Sequence, residues 1–202
     1  MGTMTHGTWV VVLIKDFGTA KQRLRPALGP RPRRALARRN ARLAVQSAAA
    51  GDRTLVVAGS EHVAELARVW GAEALIEPRQ EGQNVAASRG IRRAIEGGAG
   101  AVLLLSSDLP LVSVEAVREV LDSAAAIGGS LVVAVPAIGR GGTNALYLRP
   151  PDAIALHFGD DSLAKFREDA EARGVGFVIH RSDALALDLD EPADLERLVR
   201  AV

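Results

Sequence analysis

Residues able to do chemistry gather in a few short stretches of this sequence. The segment Lys15-Asp16-Phe17-Gly18-Thr19-Ala20-Lys21-Gln22-Arg23-Leu24 carries three cations, six and two residues apart. Ammonium point charges and a guanidinium fork at that spacing can clamp a triphosphate. Gly18 lets the backbone turn tightly and come near a ligand. No G-x-x-x-x-G-K-[ST] run occurs, and no G-x-G-x-x-G follows the first apolar run, so Walker and dinucleotide loops are absent. Asp108 stands in Ser106-Ser107-Asp108-Leu109-Pro110-Leu111, just past a fully apolar stretch. Pro110 stiffens that exit. Ser113 is the better cap for the helix that follows, which leaves the Asp108 carboxylate for a ligand.

A second pair of carboxylates lies in Leu187-Asp188-Leu189-Asp190-Glu191-Pro192. In an extended segment residues i and i+2 face the same side, so Asp188 and Asp190 would be presented together. Two such carboxylates repel unless a proton or cation sits between them, and hard oxygen ligands suit Mg²⁺. Glu191 reads as an N-terminal charge of the last helix. Gly139-Arg140-Gly141-Gly142-Thr143-Asn144 offers open backbone N–H groups and two hydrogen-bonding side chains to an anion. Phe158-Gly159-Asp160-Asp161-Ser162 precedes a helix and could hold a phosphate or carboxylate at its start, with Ser162 also suited to capping. The four His are scattered, there is no Cys, and no G-x-S-x-G elbow occurs. Thiolate zinc sites, Cys nucleophiles and the elbow type of Ser hydrolase are thereby excluded.

Apolar runs alternate with segments of helical spacing. Strands are expected over Trp9–Ile14, Thr54–Ala58, Ala74–Ile76, Ala101–Leu105, Leu131–Val135, Ala145–Leu148 and Gly176–Ile179. Helices are expected over Arg33–Ala50, Glu61–Trp70, Asn84–Ile95, Val114–Ala125, Ser162–Arg173 and Pro192–Val202. This alternation predicts an α/β fold: one doubly wound, mostly parallel sheet covered on both faces. Ligands of such sheets bind at the carboxyl ends of the strands, where most of the loops above fall.

At 202 residues, 48% hydrophobic and 24% charged, the composition is that of one ordinary globular domain. Charge is balanced overall at +1 but not locally. Lys15 to Arg42 holds ten Lys/Arg and one Asp, whereas Asp152 to Glu196 holds twelve Asp/Glu and four Lys/Arg. A basic early segment and an acidic late one could meet at a site for a polyanion plus metal. Aromatics at 3% argue against a nucleic-acid stacking platform. No run approaches the ~20 apolar residues that cross a bilayer. The expectation is a soluble cytoplasmic protein whose residues 1–8 form a flexible N-terminal segment.

Taken in order, Lys15…Ala20-Lys21-Gln22-Arg23-Leu24, Asp108-Leu109-Pro110, Gly142-Thr143-Asn144-Ala145-Leu146, Phe158-Gly159-x-x-Ser162 and Leu187-Asp188-Leu189-Asp190-Glu191-Pro192 resemble the 2-phospho-L-lactate (phosphoenolpyruvate) guanylyltransferase family. That family acts in biosynthesis of the deazaflavin coenzyme F-420. The resemblance runs from about Val10 to Leu198. It implies a Rossmann-like fold of the nucleotide-diphospho-sugar-transferase type and transfer of GMP from GTP to a small phosphorylated three-carbon acid. By position, Asp108, Asp188 and Asp190 would hold Mg²⁺. Lys15, Lys21 and Arg23 would face the triphosphate, with Lys21 catalytic beside the three Asp. Thr143, Gly159 and Ser162 would bind the acid, and Asn84 would lie near the nucleotide. The implied partners are GTP and the acid, with no nucleic acid and no membrane, and a homodimer is compatible with this. The chain departs from the family in having no acidic residue in Pro136–Arg140 and in Ser106-Ser107 ahead of Asp108. Another nucleotidyltransferase of the same fold, such as a molybdopterin guanylyltransferase or a sugar-nucleotide enzyme, and a non-catalytic nucleotide-binding relative remain alternatives.

Overall fold

A computed structural model describes residues 7–139 and 141–201. The expected N-terminal segment falls mostly outside them, at residues 1–6, while Thr8 already belongs to the first strand. Seven strands form one sheet: β1 Thr8–Ile14, β2 Arg53–Ala58, β3 Glu73–Ile76, β4 Ala101–Ser106, β5 Leu131–Pro136, β6 Thr143–Arg149 and β7 Gly176–Ile179, in the order β3-β2-β1-β4-β6-β5-β7. Helices α1 Pro30–Ser47, α2 Glu61–Val69, α3 Gln83–Glu96, α4 Val114–Ala125, α5 Ser162–Ala172, α6 Asp183–Ala186 and α7 Pro192–Ala201 complete the main elements. Among the described residues no helix is long and apolar enough to cross a membrane.

The apolar runs of β1, β2, β4, β5 and β6 are strands buried on both faces, whereas the edge strands β3 and β7 are only partly buried. Val10, Val12 and Ile14 of β1 pack with α1, α2 and α4, whereas Trp9 and Val11 pack with α3 and α5. Each fully buried Val or Leu contributes about 1.5–3 kcal/mol, so this doubly packed strand is a main source of stability. Gly90 lets α3 close on the sheet, because a Cβ there would meet Val11 Cγ1 at 2.5 Å and Val57 Cγ2 at 3.0 Å.

Two details differ from the sequence expectation. Helix α1 begins at Pro30 rather than Arg33, because prolines in a first turn lack only N–H groups that have no partner there. It also yields to a 3₁₀ turn over Ala48–Ala50. Strand β6 runs antiparallel to both β4 and β5, although the other pairings are parallel. That reversal positions the site. The first residues of β6 pair near the last residues of β5, so Thr143 opposes Pro136. The Gly-rich turn therefore reaches the same edge of the sheet as the loops leaving β1 and β4.

Candidate active site

The chain leaves β1 at Lys15 and turns sharply. Gly18 N donates to Asp16 Oδ1 at 2.8 Å and Thr19 N to Asp16 O at 3.2 Å. Lys21 then takes the left-handed conformation, with φ 58°, before a single 3₁₀ turn over Gln22–Leu24. The left-handed region costs a non-glycine residue about 1–2 kcal/mol, so it persists only where surroundings enforce it. Here they do. Leu24 is wholly buried and anchors the turn, and the Lys21 side chain, 1% exposed, is driven inward. Its Nζ lies 2.6 Å from Asp108 Oδ1 and donates to Leu189 O at 2.5 Å. The sharpest backbone demand in the loop thus falls on Lys21. Gly18 meets a milder one, since a Cβ there would sit 2.8 Å from Asp16 Oδ1.

Asp108 follows β4, and its side chain is 43% exposed toward the cleft that it lines. Ser107 Oγ donates to Leu13 O at 2.8 Å, tying this exit to β1. Ser113 caps α4 by accepting from Ala116 N, as expected, so Asp108 has no capping duty. The segment 187–190 is extended beyond the short turn of α6. Leu187 and Leu189 are buried, while Asp188 and Asp190 alternate to the other side and line the cleft. Arg23 Nη1 sits 2.8 Å from Asp190 Oδ2 and 3.7 Å from Glu191 Oε1. The charge that organises the start of α7 is Asp194, which accepts from Asp190 N at 3.0 Å and Glu191 N at 2.8 Å.

Burial raises the Asp188 carboxyl above its usual range, and the charges of Asp194, Asp108 and Asp190 add to the rise. Such a group favours a proton or a cation beside it. Among the described residues no three Asp, Glu or His side chains close on one point as a ready-made metal cage. Instead Asp108 and Asp190 are each held by a cation, and Asp188 lies half-buried near both. Mg²⁺ usually takes one or two carboxylates and completes its shell with water and substrate phosphates. The donor set therefore suits Mg²⁺ arriving with a nucleotide.

Around β6 and the start of α5 the lining is mainly neutral, with Asp160 also lining the cleft there. Asn144 Nδ2 donates to Leu185 O and Ala186 O at 2.9 and 3.0 Å, fixing β6 to α6. Ser162 Oγ donates to Thr143 Oγ1 at 3.0 Å, which leaves the Thr143 hydroxyl its own proton for a ligand. Ser162 is the first residue of α5 and wholly buried, and the capping position falls on Asp161. Gly141 and Gly159 have positive φ, 65° and 129°. Leu163 N donates to Gly141 O, so the two glycine turns pack on one another.

Lys15, Lys21, Arg23, Asp108, Asp188, Asp190, Thr143, Gly159 and Ser162 all line a single cleft of about 560 Å³. Asn84 stands apart from them. Its amide is occupied by the Phe158 backbone, accepting from Phe158 N at 2.8 Å and donating to Phe158 O at 3.2 Å. It steadies the loop that presents Gly159 and Ser162.

Sequence reasoning missed two residues of α1. Asn40 is fully buried and donates to Asp108 O at 3.4 Å, and Arg33, also buried, donates to Lys21 O at 3.5 Å. They are seven residues apart, hence on one helix face, and hold both halves of the Lys21–Asp108 pair from behind. Their signal was a polar residue at core spacing in an Ala/Leu stripe. Glu77, Gln80 and Gln83 also line the cleft and left no pattern to read.

The model of the family described as guanylyl transferase CofC-like matches residues 8–200. The chain is 41% identical over 194 residues to a phosphoenolpyruvate guanylyltransferase of Rubrobacter xylanophilus, covering 94% of this chain and 92% of that protein. It is 34% identical over 198 residues to a 2-phospho-L-lactate guanylyltransferase of Methanothermobacter thermautotrophicus, covering 95% and 84%. A solved structure from Desulfovibrio desulfuricans, named for nucleotide-diphospho-sugar transfer, superposes with a TM-score of 0.78 at 20% identity, over 96% of this chain and 87% of that one. That last likeness speaks for the fold.

Proposed function

The chain belongs to the guanylyl transferase CofC-like family, and from that premise we propose that it joins GMP from GTP to phosphoenolpyruvate, with 2-phospho-L-lactate the other acceptor to weigh. The observation that carries this reading is the division of the cleft. Lys21–Asp108 and Arg23–Asp190 pairs line one wall, and hydroxyls and glycine turns line the other. The first wall suits a triphosphate. The second suits a small phosphorylated acid, which neutral donors can hold without neutralising it.

A phosphate oxygen of the acid attacks the α-phosphorus of GTP in line. The new O–P bond forms as the bond to the β-phosphate oxygen breaks, and pyrophosphate leaves with that electron pair. The attacking oxygen is already anionic, so no strong general base is required. The obstacle is bringing two polyanions together. Lys15, Lys21 and Arg23 offset that repulsion at the triphosphate. Asp188, with Asp108 and Asp190, would hold Mg²⁺, which supplies further neutralisation of phosphate charge. Asn40 and Arg33 keep Lys21 and Asp108 in register, and Asn84 does the same for the acceptor loop. Rigid placement of both substrates supplies the remaining acceleration.

The test is one panel: GTP and ATP, each with phosphoenolpyruvate, 2-phospho-L-lactate and 3-phosphoglycerate, with Mg²⁺ and mass detection of the product. A guanylylated phosphoenolpyruvate as the main product is expected. Transfer to sugar phosphates or molybdopterin instead would assign the cleft to another nucleotidyltransferase. GTP binding with no pyrophosphate released from any acid would make the protein a binding module.

A further inference from the structure

A second concavity lies behind the nucleotide loop. It is a groove of about 980 Å³ between α1, the start of α2 and residues 16–18. Its rim carries Arg34, Arg38, Arg39 and Arg42, all exposed, with His62 across from them. None of these four arginines has an ion-pair or hydrogen-bond partner among the described residues. On α3, by contrast, Arg89 pairs with Glu77 and Glu81 and Arg93 with Glu73, while Arg92 has no ion-pair or hydrogen-bond partner among the described residues. Asp16 is the acidic side chain at the groove, and its carboxylate accepts from Gly18 N. Between the arginines the lining is apolar, with Phe17, Ala35 and Leu43. Phe17 lines the cleft as well, so the groove and the active site share a wall.

We propose that this groove docks an acidic segment of a partner protein, one in which carboxylates alternate with apolar side chains. The arginines extend over about 12 Å of helix, from position 34 to 42 at 1.5 Å per residue. The stretch from Arg34 to Gln46, about 18 Å, matches five or six residues of extended peptide. Unpaired guanidinium groups bind carboxylates bidentately. An apolar lining between them selects side chains that a bare phosphate backbone lacks. A net charge of +1 and a buried Phe17, the groove's one Phe, Tyr or Trp side chain, offer little to a nucleic acid.

Self-association is the competing outcome, because the exposed acidic residues Glu115, Glu119 and Asp122 belong to α4, on the same face of the sheet as α1, and the experiment reads it directly.

The test is fluorescence anisotropy on the full-length protein with three labelled probes, an eight-residue peptide alternating Glu and Leu, an all-Glu peptide of equal length and a 15-residue oligothymidylate, and with inorganic triphosphate as unlabelled competitor. The alternating peptide is expected to bind best. Its affinity should fall at least about tenfold in an Arg38→Ala/Arg42→Ala variant and drop steeply with salt, because the contact is charge-dependent. The same variant should keep guanylyl transfer within about twofold, since neither arginine lines the cleft, so a failed transfer assay and a failed docking assay are separable. Four outcomes would each overturn the proposal: no peptide binding, peptide binding that the variant retains, tighter binding of the oligonucleotide or triphosphate, or self-association that the variant abolishes.

Discussion

The two walls of the cleft are built on different physics. The charged wall brings together residues as far apart as Lys21 and Asp190, and its members hold one another through ion pairs of 2.6 and 2.8 Å. The neutral wall is made of hydroxyls, backbone groups and two glycine turns, locked by hydrogen bonds to β6 and α6. Electrostatic groups aimed at developing charge carry most of a phosphoryl or nucleotidyl transfer. Neutral donors at set positions discriminate between ligands of similar charge. The charged wall should therefore govern turnover, and the neutral wall the choice and affinity of the acid.

The largest effect expected is on the charged wall. Asp188→Asn or Asp190→Asn should leave the far-ultraviolet circular dichroism unchanged and lower kcat at least ~100-fold, the scale of losing one preorganised electrostatic contact. Near-normal turnover in both variants would remove these carboxylates from the chemistry and collapse the contrast between the walls.

Intermediate effects should appear on the neutral wall. Thr143→Val removes one hydroxyl and should raise KM for the acid about tenfold with KM for GTP little changed, the scale of one hydrogen bond to a charged ligand. Asn84→Ala frees the Phe158 backbone and should likewise act on the acid. A rise in KM for GTP alone would return Asn84 to the nucleotide side and redraw the boundary between the walls.

The smallest effect expected is on stability, and its sign sharpens the comparison. Asp188 has its carboxyl raised above the usual value of 3.8, first by burial and then by neighbouring carboxylates. A group with a raised folded-state pKa binds protons more tightly when folded, so stability falls as pH rises from 3.8 through that raised value. Above it the ionised group is a standing penalty. Asp188→Asn should accordingly melt at a higher temperature than the parent near pH 8, with the gap closing toward pH 4. A variant less stable than the parent at pH 8 would mean that Asp188 supports the fold rather than the reaction.

Much of this was legible in the sequence. Continuous apolar runs marked all seven strands; for β1, β2, β4, β5 and β6 the reason is that a strand buried on both faces has no polar alternation to preserve, while the edge strands β3 and β7 are short apolar runs only partly buried. Nine residues expected in the site share one cleft: the segments after β1, β4 and β7 and the turn into β6 meet at one edge of the sheet, and the loop leading into α5 returns Gly159 and Ser162 to it. The motif around Asn84 resembles a stretch near the nucleotide, and the pairing of its amide with the Phe158 backbone leaves no trace in that motif. Asn40 and Arg33 were hidden inside a helix that otherwise reads as Ala/Leu core and Arg surface.

Order along the chain, apolar periodicity and the types of residue in each loop were determined by the sequence alone, since they depend on neighbours a few positions away. Three other matters were decided by the tertiary structure: that β6 runs backward, that Lys21 adopts φ 58° to reach Asp108, and that four arginines line a separate groove instead of the active site. Each depends on contacts between segments far apart in the chain, whose geometry exists only once the sheet has closed around β1.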